Sequence, residues 1–377
     1  MKMNAPIQTV AKGRMLATGW AVLASNPSAM ARRSVAFDWA MALGGLWLIA
    51  GLFADLGWHI REDVDSFLTG AHAMLYSGLL ILFVAAGLAA LRGIRSGLSP
   101  RASLPLGYDL VLPGLLIFLV AGALDALGHF LYGFESGFLA LLSPTHQLIG
   151  FGIILVLTSP IRAALLSTPR PSTFREQLPL LIASASFLEL IHWGTNYIFL
   201  SGAERSYGPL PLPASNPDAL TATTLAFSHQ GGGLTAFLLQ SLIMIGVTLY
   251  LVRNFTLRPG SLTLLYVIGN GFIAVALSTS WTQAGGPIVA SVIAGIVADS
   301  FLLNADTLRS NRLRYGAFAF IVPVVYHAAL LIYIVLFLGG TWWHPIFTFG
   351  ALLYTGIFAF LLSLVAFVPQ PVVRPFD

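Results

Sequence analysis

The chain has no cysteine, so disulfides, thiolate-bound metals, iron–sulfur clusters and cysteine nucleophiles are excluded. Charge is nearly as scarce. Asp, Glu, Lys and Arg make up 9% of the 377 residues, against roughly a quarter in a soluble protein. Hydrophobic residues reach 57% and the mean hydropathy is +0.83. Such a chain reads as an all-α integral membrane protein whose first partner is the lipid bilayer. With thiols absent, a metal here has only imidazole, carboxylate, amide or backbone oxygen to bind it.

The formal net charge of +4 invites a nucleic-acid reading, and the placement of the basic residues argues against one. About twenty apolar residues span a bilayer as a helix. That ruler finds about ten segments, near 37–59, 72–91, 108–131, 147–166, 177–200, 230–252, 261–281, 287–303, 315–338 and 345–368. The expectation is a polytopic bundle of about ten transmembrane helices over 36–368, between a tail at 1–35 and a tail at 369–377. Lys2, Lys12, Arg14, Arg32 and Arg33 mark the first tail, which lacks the long apolar core of a cleaved signal peptide. Seventeen of the 19 Lys and Arg fall in the tails and in alternate links, and only Arg61 and Arg205 in the others. By the positive-inside bias both tails are cytoplasmic, as in a multi-pass protein of a bacterial-type inner membrane.

The same topology gathers seven of the eight histidines at the other, extracytoplasmic end; His327 alone lies well inside a segment. The pattern is a degenerate hairpin repeat, in which one helix ends with an acid and a histidine and the next begins with a histidine. Asp55 and His59 stand four apart, on one helical face, and His72 opens the next run. Asp125, His129 and His146 repeat the arrangement. A third, variant set is Glu189, His192 and Asn196 at i, i+3 and i+7, with His229 from the following helix. The fourth pair (Trp281, Gln283) has lost the pattern, and the fifth keeps His344 beside Trp342 and Trp343. The proline-rich link at 201–228 reads as an extended lid over that end.

Each triad has two readings. An acid in a membrane helix is costly unless it is paired or metal-bound. The plain reading is an acid–imidazole hydrogen bond that ties two helices together. The chemical reading is a divalent-metal site with one carboxylate, two imidazoles and open positions, suited to copper, zinc, iron or nickel. The third set reads as a metal site, a proton relay or a polar packing seam. Glu62, Asp63 and Asp65 form an acidic link that is solvated or gathers cations.

The run Asp55-Leu-Gly-Trp-His59, twelve residues, then His72-Ala-Met-Leu-Tyr-Ser-Gly78 resembles the metal-binding stretch in a membrane subunit of the copper membrane monooxygenases, the particulate methane and ammonia monooxygenase family. The likeness covers about thirty residues. It implies that Asp55, His59 and His72 are copper ligands near the outer face, and it adds Asp65 as a family-like acid of the link. The second copy departs from the family pattern, with sixteen residues between its histidines and Gly128 in place of the Trp, but Ser143-Pro-Thr-His146 resembles the family's entry to the next helix.

The resulting expectation is a copper-binding membrane protein with the chemistry of a monooxygenase-like oxidoreductase acting on a small apolar or uncharged substrate; zinc and iron are the competing metals. Two alternatives stay open at this point: a transporter or chaperone for metal ions or protons, and a non-catalytic membrane subunit. Other membrane subunits or a second copy of the chain are candidate partners, and nucleic acid is not.

Overall fold

A computed structural model describes residues 34–61, 69–133, 142–195 and 219–367. The two tails, the acids Glu62, Asp63 and Asp65, Asn196 and most of the proline-rich link lie outside the described residues. The helices are α1 (Val35–Arg61), α2 (Gly70–Arg95), α3 (Val111–Tyr132), α4 (Pro144–Leu157), α5 (Ser159–Leu166), α6 (Phe174–Gly194) and α7 (Ala219–Asn254). They continue with α8 (Ser261–Gly269), α9 (Gly271–Leu277), α10 (Trp281–Leu302), α11 (Ala305–Ser310), α12 (Arg312–Phe337) and α13 (Pro345–Ala366). Among the described residues there is no strand. The protein is an all-α polytopic membrane bundle.

Eight helical stretches are long and apolar enough to cross a membrane. Two further elements stand where the remaining two expected segments lie. One is α6, 21 residues long, whose Glu189, His192 and serines lower its hydropathy. It stays in the bundle because it is packed on several sides, against α1, α4, α5, α7, α8 and α9. A helix that neighbours wrap has no lipid-facing stripe to keep apolar. The other is the pair α8–α9, a single crossing broken at Asn270.

Four boundaries differ from the hydropathy reading. Segment 177–200 runs instead from Phe174 to Gly194, started by a capping box in which Thr173 and Glu176 satisfy each other's backbone N–H groups. Segment 230–252 begins much earlier, at Ala219, because no proline follows Pro217 to stop the helix; His229 therefore lies well inside α7 rather than at its start. Segment 287–303 begins at Trp281 and carries Pro287 inside its first turns. Segment 261–281 is the broken pair, and Gly269-Asn270-Gly271 is the sequence that breaks it.

The side chains pack into two cores. The first joins α1 to α4 and includes Leu190 of α6 with Ile273 and Ala276 of α9. The second joins α7, α8, α10, α12 and α13 and includes Leu180, Leu181, Ala183 and Ala185 of α6. Both α6 and the α8–α9 crossing therefore pass from one core to the other along their length.

The start of α8 is held from a neighbour. Asp299 of α10, almost buried, accepts from Leu262 N at 3.0 Å, Thr263 N at 3.1 Å and Thr263 Oγ1 at 2.7 Å. This is an N-cap supplied across the helix interface. Asp299→Ala is expected to cost about 2 kcal/mol, seen as a fall of a few degrees in the Tm of the detergent-solubilised protein.

Candidate metal centre

Two hairpins, α1–α2 and α3–α4, bring acids and imidazoles together at one end of the bundle. Their register is set by close crossings. A Cβ on Gly78 would lie 2.8 Å from the Leu48 backbone, and one on Gly152 would lie 2.9 Å from Phe118 N. Small residues at a crossing let membrane helices approach backbone to backbone. Leu48 stands seven residues before Asp55 and Phe118 seven before Asp125; Gly78 stands six after His72 and Gly152 six after His146. The two hairpins thus cross at equivalent positions, and the extra residues of the second copy fall at and beyond its helix ends.

The helix starts repeat as well. Thr69 caps α2, its Oγ1 accepting from His72 N at 3.1 Å and standing 2.9 Å from His72 Nδ1. Ser143 caps α4 in the same way, at 3.3 Å from His146 N and 2.8 Å from His146 Nδ1. The cap fixes the backbone of the histidine and its ring together. Ser280 and Gln283 occupy the same two positions at the start of α10, with Ser280 Oγ accepting from Gln283 N at 3.2 Å. By residue type this fourth pair has lost the pattern; its capping geometry survives and its imidazole does not.

Both acids meet the capped histidine through the same atoms. Asp55 Oδ1 is 3.4 Å from His72 Nδ1, and Asp125 Oδ1 is 3.3 Å from His146 Nδ1. In the second hairpin Asp125 Oδ2 also faces His129 Nε2 at 3.2 Å, and Thr145 Oγ1 donates to Oδ1 at 2.6 Å. The rings of His129 and His146 stand 6.4 Å apart, edge to face. His129 Nδ1 lies 3.3 Å from Gly133 O. His59 lies near the end of α1, four residues after Asp55; its side chain is outside the described residues.

The donor set therefore converges, as one carboxylate with two imidazoles in the second hairpin and as a carboxylate with the one described imidazole in the first. Each imidazole of the second hairpin addresses a different oxygen of Asp125, and these contacts occupy the donors with one another. Among the described residues no group of three or more His, Asp or Glu is disposed to hold a metal ion in this conformation.

The third set behaves differently. Glu189 is fully buried and accepts from Phe272 N at 2.7 Å and Ile273 N at 3.2 Å, the first amides of α9. His192, one turn further along α6, is fully buried beside the Gly269 end of α8. One face of α6 thus meets both sides of the break. Among the described residues no hydrogen bond or ion pair joins His229 to either of them, and Asn196 is outside the described residues. His327 is buried, stacked on Phe237 at 4.0 Å between ring centres, with Nε2 3.1 Å from Ser241 Oγ. His344 caps α13 through its own ring, Nδ1 accepting from Ile346 N at 3.3 Å.

Sequence reasoning missed Thr69 and Thr145, and it missed Gln240, Asn270, Ser291 and Tyr326, which surround the break. A hydroxyl residue three places before a histidine was the available signal for the caps. The Gly-Asn-Gly triplet was the signal for the break.

No protein-family model, no curated protein and no solved structure matches this chain.

Proposed function

We propose that this protein binds a transition metal, copper by preference, at the histidine end of the bundle, with Asp55, His59 and His72 as one ligand set and Asp125, His129 and His146 as a second. The observation that carries this reading is the repetition. The same carboxylate oxygen meets the same imidazole nitrogen in two hairpins, beneath the same hydroxyl cap and above the same glycine crossing. A packing contact needs the pair once; a matched donor set held in register twice fits ligation. Carboxylate and imidazole suit copper, with zinc or iron as the competing ions.

At the second site Asp125, His129 and His146 would hold the ion, with Gly133 O beside His129 Nδ1 orienting that ring and Thr145 Oγ1 on Asp125 Oδ1 orienting the carboxylate. Copper, when bound, supplies dioxygen chemistry. The lipid-facing setting and the resemblance around Asp55 to His72 favour oxidation of a small apolar or uncharged substrate. The arginine-rich end faces the cytoplasm in this reading, and the metal sites open on the opposite face of a bacterial-type inner membrane. Further membrane subunits or a second copy complete the assembly.

The test is metal content of protein purified without chelators. Wild type is expected to hold about two equivalents of copper. Asp55→Ala and Asp125→Ala are each expected to hold about one, and the double variant none. Unchanged metal content in Asp125→Ala, or a metal-free wild type after copper loading, overturns the reading.

A further inference from the structure

The break at Asn270 is the second concentration of polar groups in the bundle. Membrane-embedded chain leaves the helical path only where protein shields it and satisfies its backbone. Here neighbours on several helices do so. Asn270 Nδ2 donates to Tyr266 O at 2.9 Å and Ser291 Oγ at 3.2 Å. Its Oδ1 accepts from Gln240 Nε2 at 3.4 Å, and that same amide donates to Tyr326 OH at 2.9 Å. Glu189 takes the two free N–H groups of α9. Each of these polar groups is engaged with another protein group.

Among the described residues Glu189 has no cation opposite it: no Lys, Arg or His forms an ion pair with its carboxylate, whose partners are two neutral amides. The titratable groups around it are His192 on α6, Tyr326 on α12 and, beyond Ser241, His327 on α12. Around the break α7 brings Gln240 and Ser241, α10 brings Ser291 and α8 brings Tyr266, whose hydroxyl is 3.0 Å from Thr248 Oγ1; α1 brings Phe53, whose ring stacks on Phe272 at 6.4 Å. An isolated carboxylate in an apolar interior is a costly group to keep. What it binds must fit the geometry on hand. Both of its oxygens already accept a hydrogen bond, and Gln240, Asn270, Ser291 and Tyr326 are bonded to one another, so these groups form no oxygen cage for a metal cation. A proton needs no cage.

We propose that Glu189 is a proton-binding site that clamps the broken helix to α6. Proton uptake converts the carboxylate to the carboxylic acid at Oε2, the oxygen with the longer contact. Phe272 N–H stays on Oε1 and the hold on Ile273 N–H is released. Because Ile273 packs in the first core while α8 packs in the second, this exchange loosens α9 at the seam between them. Discontinuous helices with ionisable partners are how many transporters couple ion binding to movement. The site is independent of the metal sites, since none of its groups belongs to either ligand set.

Dicyclohexylcarbodiimide, which adds to buried protonated carboxyl groups, tests this on the full chain in native membranes. Peptide mapping by mass spectrometry is expected to find the adduct on Glu189, formed about tenfold more slowly per pH unit on the alkaline limb. Asp38 and Asp299, both buried and hydrogen-bonded, serve as internal comparators. Glu189→Gln keeps one acceptor oxygen and the side-chain shape. It is expected to lose the adduct while eluting as the wild type does. Glu189 unlabelled from about pH 5 to about pH 9, or labelled at a rate that ignores pH, overturns the proposal. The wild-type measurement decides it even if the variant fails to fold.

Discussion

Replacing Gly152 by leucine is expected to empty the Asp125 site, leave the Asp55 site loaded, and lower stability by about 3 kcal/mol. The reason is steric. A Cβ at this position would sit 2.7 Å from Gly114 O and 2.9 Å from Phe118 N, and these are backbone atoms that cannot swing aside. The α3–α4 hairpin must open, and Asp125 then loses its 3.3 Å approach to His146. Gly78→Leu is the reciprocal experiment, since its Cβ would meet Leu48 N and Cα at 2.8 Å. It should empty the first site and spare the second. Copper content of the two variants, read beside their thermal unfolding in detergent, checks both halves. Loss of both sites in either variant would mean that the hairpins share one metal cluster.

The second large effect is at the break. Glu189→Leu is expected to cost about 2 to 6 kcal/mol, because two buried amides lose their acceptor at about 1–3 kcal/mol each. Glu189→Gln retains an acceptor for Phe272 N and should cost only about 1 kcal/mol. The gap between the two variants in thermal unfolding measures the clamp, whatever the site does with protons. Equal losses would show that packing volume, rather than hydrogen bonding, holds α6 against α9.

Several features are legible in the residue order because they depend on local spacing. Asp125 and His129 share a helical face because they stand four apart, and the structure places them 3.2 Å from each other. Ser143-Pro144 marks a helix start just before His146, and that start is where His146 lies. Eight crossings follow from hydropathy, and α6 shows the limit of that signal. It carries Glu189 and His192 and is less apolar than its neighbours, and its packing by them, which is a tertiary fact, keeps it inside.

Composition and periodicity alone determined that the chain is a helical membrane bundle, and that its imidazoles and acids collect in pairs at hairpin ends. Covalent spacing along a helix is enough for that, because a turn of helix is rigid. Only the tertiary structure decided which pairs face each other. Contacts between helices depend on crossing register, and register here is set by Gly78 and Gly152 against partners about thirty residues away. The same holds for Glu189. From the sequence it grouped with His192, Asn196 and His229 as a metal site, a proton relay or a packing seam, and in the fold its oxygens accept from the amides of a helix more than eighty residues downstream. Buried amides without partners are costly, and at the break the carboxylate satisfies two of them.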